Sequence, residues 1–116
     1  MKAQIFHNPR CSKSREALSL LQERGVALEV IDYQANPPSP QTLRELTRKL
    51  GLPARELVRF GDELANELNV SARDDRSENE WLQLLSANPR LIERPIVVSG
   101  HRAVIGRPPA RVLTLF

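Results

Sequence analysis

Cys11 is the only cysteine in the chain, and its neighbours are Arg10, Ser12, Lys13 and Arg15. An inert core cysteine usually has apolar company. This one lies in a charged, polar segment. Asn8 and Pro9, just before it, are turn formers. The residues after it carry apolar side chains at helical spacing. Cys11 is therefore expected at a helix N-terminus. The first-turn N–H groups there have no intrahelical partner, and the helix end carries about half a positive charge. Both favour thiolate over thiol. Arg10, Lys13 and Arg15 act in the same direction, and His7 is a candidate to steady the thiolate. The same turn suits a tetrahedral oxyanion, because helix N-termini bind phosphate-like and sulfate-like groups. A nucleophile inside an oxyanion site points to attack on that oxyanion. Ser12 and Ser14 have a plainer role open to them, as helix caps.

The spacing narrows the chemistry. Cys11-Ser12-Lys13-Ser14 is C-x-x-S, so an intramolecular disulfide cannot form. Any disulfide made in turnover needs an outside thiol to resolve it. Cys11 and Arg15 are four apart, which is not the C-x-x-x-x-x-R loop of tyrosine phosphatases. Three further arginines stand at the edges of apolar runs. Arg59 follows Leu57-Val58, Arg94 precedes Pro95-Ile96-Val97-Val98, and Arg107 precedes Pro108-Pro109. Arginine suits forked recognition of oxyanions, although such positions are often ordinary surface. Pro95 is a candidate cis proline, against a general preference for trans. His101 is expected to be exposed, and Trp81 and Phe60 to belong to the core.

The elements that must position these residues alternate in period. Residues 2–6 read as a strand, 7–10 as a loop, and 11–24 as a helix with Ala17, Leu18 and Leu21 on one face. Gly25 is its stop signal. Residues 27–31 read as a second strand, and strand–helix–strand implies a parallel pair. Ser39 and Pro40 fit the N-cap and first position of a helix carrying Leu43, Leu46 and Leu50, ended by Gly51. Short helices are predicted over 54–60 and 62–69, with a polar loop at 71–76. Ser77-x-x-Glu80 is a capping box opening a helix with Trp81, Leu84 and Leu85, ended by Asn88-Pro89. Residues 95–98 and 103–105 read as strands joined through Gly100-His101 in a type II′ turn. Pro108-Pro109 opens a short terminal helix. The order βαβ, helical segment, ββα predicts an α/β protein with a central mixed sheet. This is the order of a thioredoxin-like (glutaredoxin-like) fold with an inserted helical segment.

Composition bounds the rest. The chain has 116 residues, 41% of them apolar, enough for one domain with an ordinary core. That excludes a disordered chain and a disulfide scaffold. One cysteine and two histidines exclude a zinc-finger array. Net charge is +3, from 17 Lys and Arg against 14 Asp and Glu, too little to argue for nucleic acid. Only three of the 17 are lysines. No apolar run approaches the roughly 18 residues of a membrane helix, and the first residues hold no signal core. A cytoplasmic protein without a membrane or nucleic-acid partner is expected.

Three segments carry a family resemblance. His7-Asn8-Pro9-Arg10-Cys11-Ser12-Lys13-Ser14-Arg15 resembles the active-site segment of the glutaredoxin-coupled arsenate reductase (ArsC-like) family. Glu93-Arg94-Pro95-Ile96-Val97-Val98 and Gly106-Arg107-Pro108-Pro109 resemble its other two signature segments, in the expected order. Leu57-Val58-Arg59 falls where the family has its remaining arginine. The match spans nearly the whole chain and is close to the short, YfgD-type branch.

The resemblance implies a single thioredoxin-like arsenate reductase domain over residues 1–116, with a helical insert at about 39–89. It implies that Pro95 is cis, that Cys11 is the nucleophile, and that His7 helps keep it ionised. Arg59, Arg94 and Arg107 would bind the oxyanion, with Ser14 beside them as a substrate-binding residue. The thiolate would attack arsenate, glutathione would attack the adduct as co-substrate, and glutaredoxin would remove the mixed disulfide as arsenite leaves. No bound cofactor or metal is implied. Two other readings share the fold. One is a glutathione-dependent thiol oxidoreductase. The other is a non-catalytic redox or transcription regulator that binds RNA polymerase and senses redox state through C-x-x-C. Ser14 stands where that switch needs its second cysteine.

Overall fold

The computed structural model describes residues 1–116. The chain divides into two units, Met1–Asn36 with Arg94–Phe116, and Pro37–Glu93.

The first unit is built on a four-stranded mixed sheet. Strand β1 (Lys2–His7) runs parallel to β2 (Ala27–Asp32) and antiparallel to β3 (Ile96–Ser99). Strand β4 (Arg102–Ile105) completes the order β2-β1-β3-β4. Ile5, Phe6 and His7 are consecutive and all buried, as a central strand covered on both faces requires. Helix α1 (Ser12–Glu23) links β1 to β2. It buries Ser14, Ala17 and Leu21, three or four residues apart and so on one face. Its end is a Schellman motif. The Val26 N–H donates to Leu21 O at 3.1 Å and the Gly25 N–H to Gln22 O at 3.0 Å, with Gly25 at φ +79°. Leu21 and Val26 join Ala3, Ile5, Ala17, Val97 and Val112 in one apolar cluster. Truncating the fully buried Leu21 to Ala costs about 2–5 kcal/mol.

The hairpin from β3 to β4 turns on Gly100-His101, with Gly100 at φ +60° and His101 exposed. This is the pattern of a type II′ turn. The terminal segment Pro109–Leu115 is a 3₁₀ helix rather than an α-helix, and it packs on α1.

The second unit is helical. Helix α2 (Pro40–Leu50) begins at Ser39, whose hydroxyl accepts from the Thr42 N–H, and ends at Gly51 at φ +69°. Helix α4 (Glu78–Ala87) packs against it and opens with the Ser77–Glu80 capping box fully formed. Trp81 is buried and meets Phe60 edge to face at 6.0 Å. The Arg76 guanidinium lies 5.4 Å from the Trp81 ring centre.

Two expected helices are shorter than the periodicity suggests. Only Ala54–Leu57 of 54–60 is helical, as a 3₁₀ turn. Val58 then extends to bridge Ile92, with Arg59 N–H donating to Leu91 O and Glu93 N–H to Leu57 O, both at 2.7 Å. Long-range pairing overrides the local pattern. Helix α3 covers Glu63–Glu67, and the chain leaves it through Asn69 at φ +55°, a left-handed conformation that Asn tolerates. No helix is long and apolar enough to cross a membrane.

Candidate active site

The turn from β1 into α1 is held by Asn8. Its carbonyl accepts from the Cys11 N–H at 3.0 Å, and its Oδ1 accepts from the Arg10 N–H at 3.0 Å. Its own N–H donates to Ser14 Oγ at 3.1 Å. Arg15 adds a bond from its guanidinium to Pro9 O at 2.9 Å. Cys11 thereby becomes the N-cap of α1, in extended geometry with φ −95° and ψ 121°. Its carbonyl accepts the first helical bond, from Arg15 N–H, at 3.0 Å.

The sulfur closes no tight capping bond, and Cys11 is partly exposed. Burial alone pushes the thiol up. The N–H groups of Ser14 and Lys13, and a hydrogen bond and the charge from the Arg94 guanidinium, outweigh that. The net effect holds the Cys11 thiol below its ordinary range. The first turn of α1 contains no acidic residue, although Asp and Glu favour that position. Nothing there competes with a bound anion.

Arg94 is itself buried. Its carbonyl accepts from Arg107 Nε at 2.9 Å, so the two arginines are joined at the backbone of one by the side chain of the other. The Arg94–Pro95 peptide is cis, as the resemblance implies. Arg107–Pro108 is cis as well.

His7 and Ser14 form a pair of their own. His7 Nδ1 lies 2.7 Å from Ser14 Oγ, and both side chains are buried. Burial lowers the His7 pKa; Asp32 opposes this and Arg15 adds to it. His7 is thus neutral at physiological pH. As pH falls below the ordinary histidine value, the unfolded chain takes the proton first, and His7 withdraws stability. The groups that lower the Cys11 pKa do not include His7. His7 instead meets Ser14, whose N–H faces the sulfur and whose hydroxyl is engaged by His7 and Asn8.

Arg59 belongs to the second unit. Its guanidinium lies 3.5 Å from both Asp62 and Glu93 carboxylates. Asp62 also accepts from Leu64 N–H at 2.9 Å, capping α3, and pairs with Arg90 at 2.9 Å. The structure therefore brings Cys11, Ser14, His7, Arg94 and Arg107 together in the first unit. No three His, Cys, Asp or Glu side chains are grouped to hold a metal. Asn8, a turn former by sequence, organises the site through three hydrogen bonds. Its signal was its place between a strand and a capped helix, where Asn often bonds its own turn.

The model of the ArsC family matches residues 6–115. The chain belongs to the ArsC family. It is 50% identical over 115 residues to YfgD of Escherichia coli (strain K12), covering 98% of this chain and 96% of that protein. It is 41% identical over 116 residues to the arsenate reductase of Haemophilus influenzae (strain ATCC 51907 / DSM 11121 / KW20 / Rd), covering 99% of each. The solved structure of the arsenate reductase from Vibrio cholerae superposes with a TM-score of 0.95 at 43% identity, covering 100% of this chain and 98% of that one. The ArsC chain thus has the thioredoxin-like α/β fold expected from its strand and helix order.

Proposed function

We propose that this ArsC-family chain reduces arsenate to arsenite, with Cys11 as nucleophile. The observation that carries the proposal is the Cys11 sulfur at an uncapped helix start, with its thiol held low by two backbone N–H groups and Arg94.

The thiolate attacks As(V), an As–S bond forms, and an arsenate oxygen leaves as water after protonation. Glutathione then supplies the second thiol. Arsenic gains two electrons and leaves as arsenite, while the Cys11 and glutathione sulfurs lose one each and form a mixed disulfide. Arsenate and two thiols thus become arsenite, one disulfide and one water. Glutaredoxin takes the glutathione sulfur by thiol exchange and returns Cys11 to thiolate.

Arg94 and Arg107 offset the charge of the dianion and of the more charged transition state. The Ser14 and Lys13 N–H groups favour the attacking thiolate. Arg59 is assigned as the third oxyanion-binding arginine by its place in the family pattern. His7 acts as a positioning residue, holding Ser14 and through it the first turn of α1. The scheme uses no metal and no bound organic cofactor.

The test is arsenate-dependent NADPH consumption with glutathione, glutathione reductase and glutaredoxin. Wild type turns over, Cys11→Ser does not, and Arg94→Ala loses most of its kcat/KM. Wild type that is folded and carries an ionised Cys11 but shows no turnover would overturn the proposal. Reduction of glutathione mixed disulfides by that same protein would assign the site to thiol exchange.

A further inference from the structure

Four of the five glycines have nothing within 4 Å of where a Cβ would stand, and three of these are turn residues with positive φ. Gly106 is different. A Cβ there would lie 2.8 Å from Pro95 Cγ, 3.0 Å from Val112 Cγ1 and 3.4 Å from Pro95 Cδ. Its φ lies outside the left-handed region, so space rather than backbone freedom demands glycine. The obstacle is a proline ring in a buried position, which cannot rotate away as a long side chain would.

The close approach joins the two arginine segments. The Gly106 N–H donates to Pro95 O at 2.8 Å, and the next residue, Arg107, donates from Nε to Arg94 O at 2.9 Å. Arg94 in turn hydrogen-bonds the Cys11 sulfur. The end of β4 is therefore pressed onto Arg94-Pro95 at a separation only a missing side chain permits.

We propose that Gly106 is a positioning residue for the oxyanion site, setting how closely Arg107 is held to Arg94 and, through Arg94, how that guanidinium meets Cys11. A methyl at 106 must part the two segments by several tenths of an ångström. Misplacement of about 1 Å can cost a hundredfold in rate. The arsenate affinity part of this inference rests on the function proposed above; the effect on Cys11 does not.

The experiment compares wild type, Gly106→Ala, Gly61→Ala and Arg107→Lys. Gly61 is the control, since a Cβ there meets open space. Two quantities are read: the pH midpoint of Cys11 alkylation by iodoacetamide, and kcat and KM for arsenate. Gly106→Ala is expected to move the midpoint upward and to raise KM about tenfold, with a smaller change in kcat. Gly61→Ala changes neither. Adding Val112→Ala to Gly106→Ala removes one of the two close contacts and restores part of both. Arg107→Lys keeps the charge but loses the Nε bond to Arg94 O, so it moves the midpoint in the same direction. That variant carries the test if Gly106→Ala fails to fold. A folded Gly106→Ala, or an Arg107→Lys, with the wild-type midpoint overturns the inference, whether or not arsenate proves to be the substrate.

Discussion

The two units treat their helix starts in opposite ways. In the second unit each of the three α-helices begins on a side chain that caps it, namely Ser39, Asp62 and Ser77. In the first unit α1 begins on Cys11, which makes no capping bond, and no acid occupies the first turn. Charge divides the same way. Met1–Asn36 with Arg94–Phe116 holds nine Lys and Arg against four Asp and Glu, a net +5. Pro37–Glu93 holds eight against ten, a net −2. The second unit uses its polar groups on itself, in caps and in the pair of Asp62 with Arg90. The first leaves N–H groups and cations facing a sulfur. An unsatisfied helix end costs stability, and stability given up at an active site is a common signature of function.

The comparison can be broken at several points. The largest effect belongs to Arg94→Ala, which removes the one guanidinium acting on Cys11. It is expected to lower kcat/KM for arsenate about a hundredfold or more and to raise the pH midpoint of Cys11 alkylation. Steady-state kinetics and a pH series check both.

Asp62→Ala should act on the fold alone at its own helix. It loses the α3 cap and a carboxylate that burial opposes but Leu64 N–H, Arg90 and Arg59 keep ionised. About 1–2 kcal/mol of stability is expected to go, read by urea denaturation, with the Cys11 alkylation midpoint unmoved. Ser77→Ala removes half of the α4 capping box. It should cost about 1 kcal/mol, again with no effect on the midpoint. A moved midpoint in either variant would mean that the division of labour between the units is wrong.

The smallest effect sharpens the comparison most. Serine is a far better N-cap than cysteine thiol, so Cys11→Ser should be inactive yet more stable at pH 6 by up to about 1 kcal/mol. The advantage should depend on pH with a definite sign. The Cys11 pKa is lower in the folded chain than in the unfolded one. The stability it contributes is therefore complete above the ordinary thiol value and is lost as pH falls through the folded value. Thermal melts from pH 6 to 9 should show wild type gaining on Cys11→Ser as pH rises. A gap that stays constant or widens would mean the sulfur is not ionised as described.

Much of this was legible in the residues. Strands β1 and β2 and helix α1 follow from apolar spacing, with Gly25 as the stop. Ser39-Pro40 and Ser77-x-x-Glu80 announced two caps that form as read. Gly100-His101 marked the hairpin. These signals are local, and local chemistry decides them. The failures were non-local. Residues 58–60 carry a helical pattern, but Val58 pairs with Ile92, over thirty residues away. The 2.7 Å contact between the His7 ring and the Ser14 hydroxyl, seven residues on, carries no sequence signal either. Gly106 gave no warning either. Its neighbours Pro95 and Val112 are set by the sheet, and only their distances show why no side chain fits.

The account rests on Cys11 being a thiolate in an oxyanion site, and one measurement addresses that directly. Cys11 is alkylated with iodoacetamide across pH 4 to 10, in the presence and absence of arsenate without glutathione, and the rate is followed by intact mass. A midpoint below that of an ordinary cysteine and slower alkylation when arsenate is present are expected, with the midpoint raised and the protection weakened in Arg94→Ala. An ordinary midpoint together with no protection by arsenate would contradict a Cys11 thiolate in an oxyanion site.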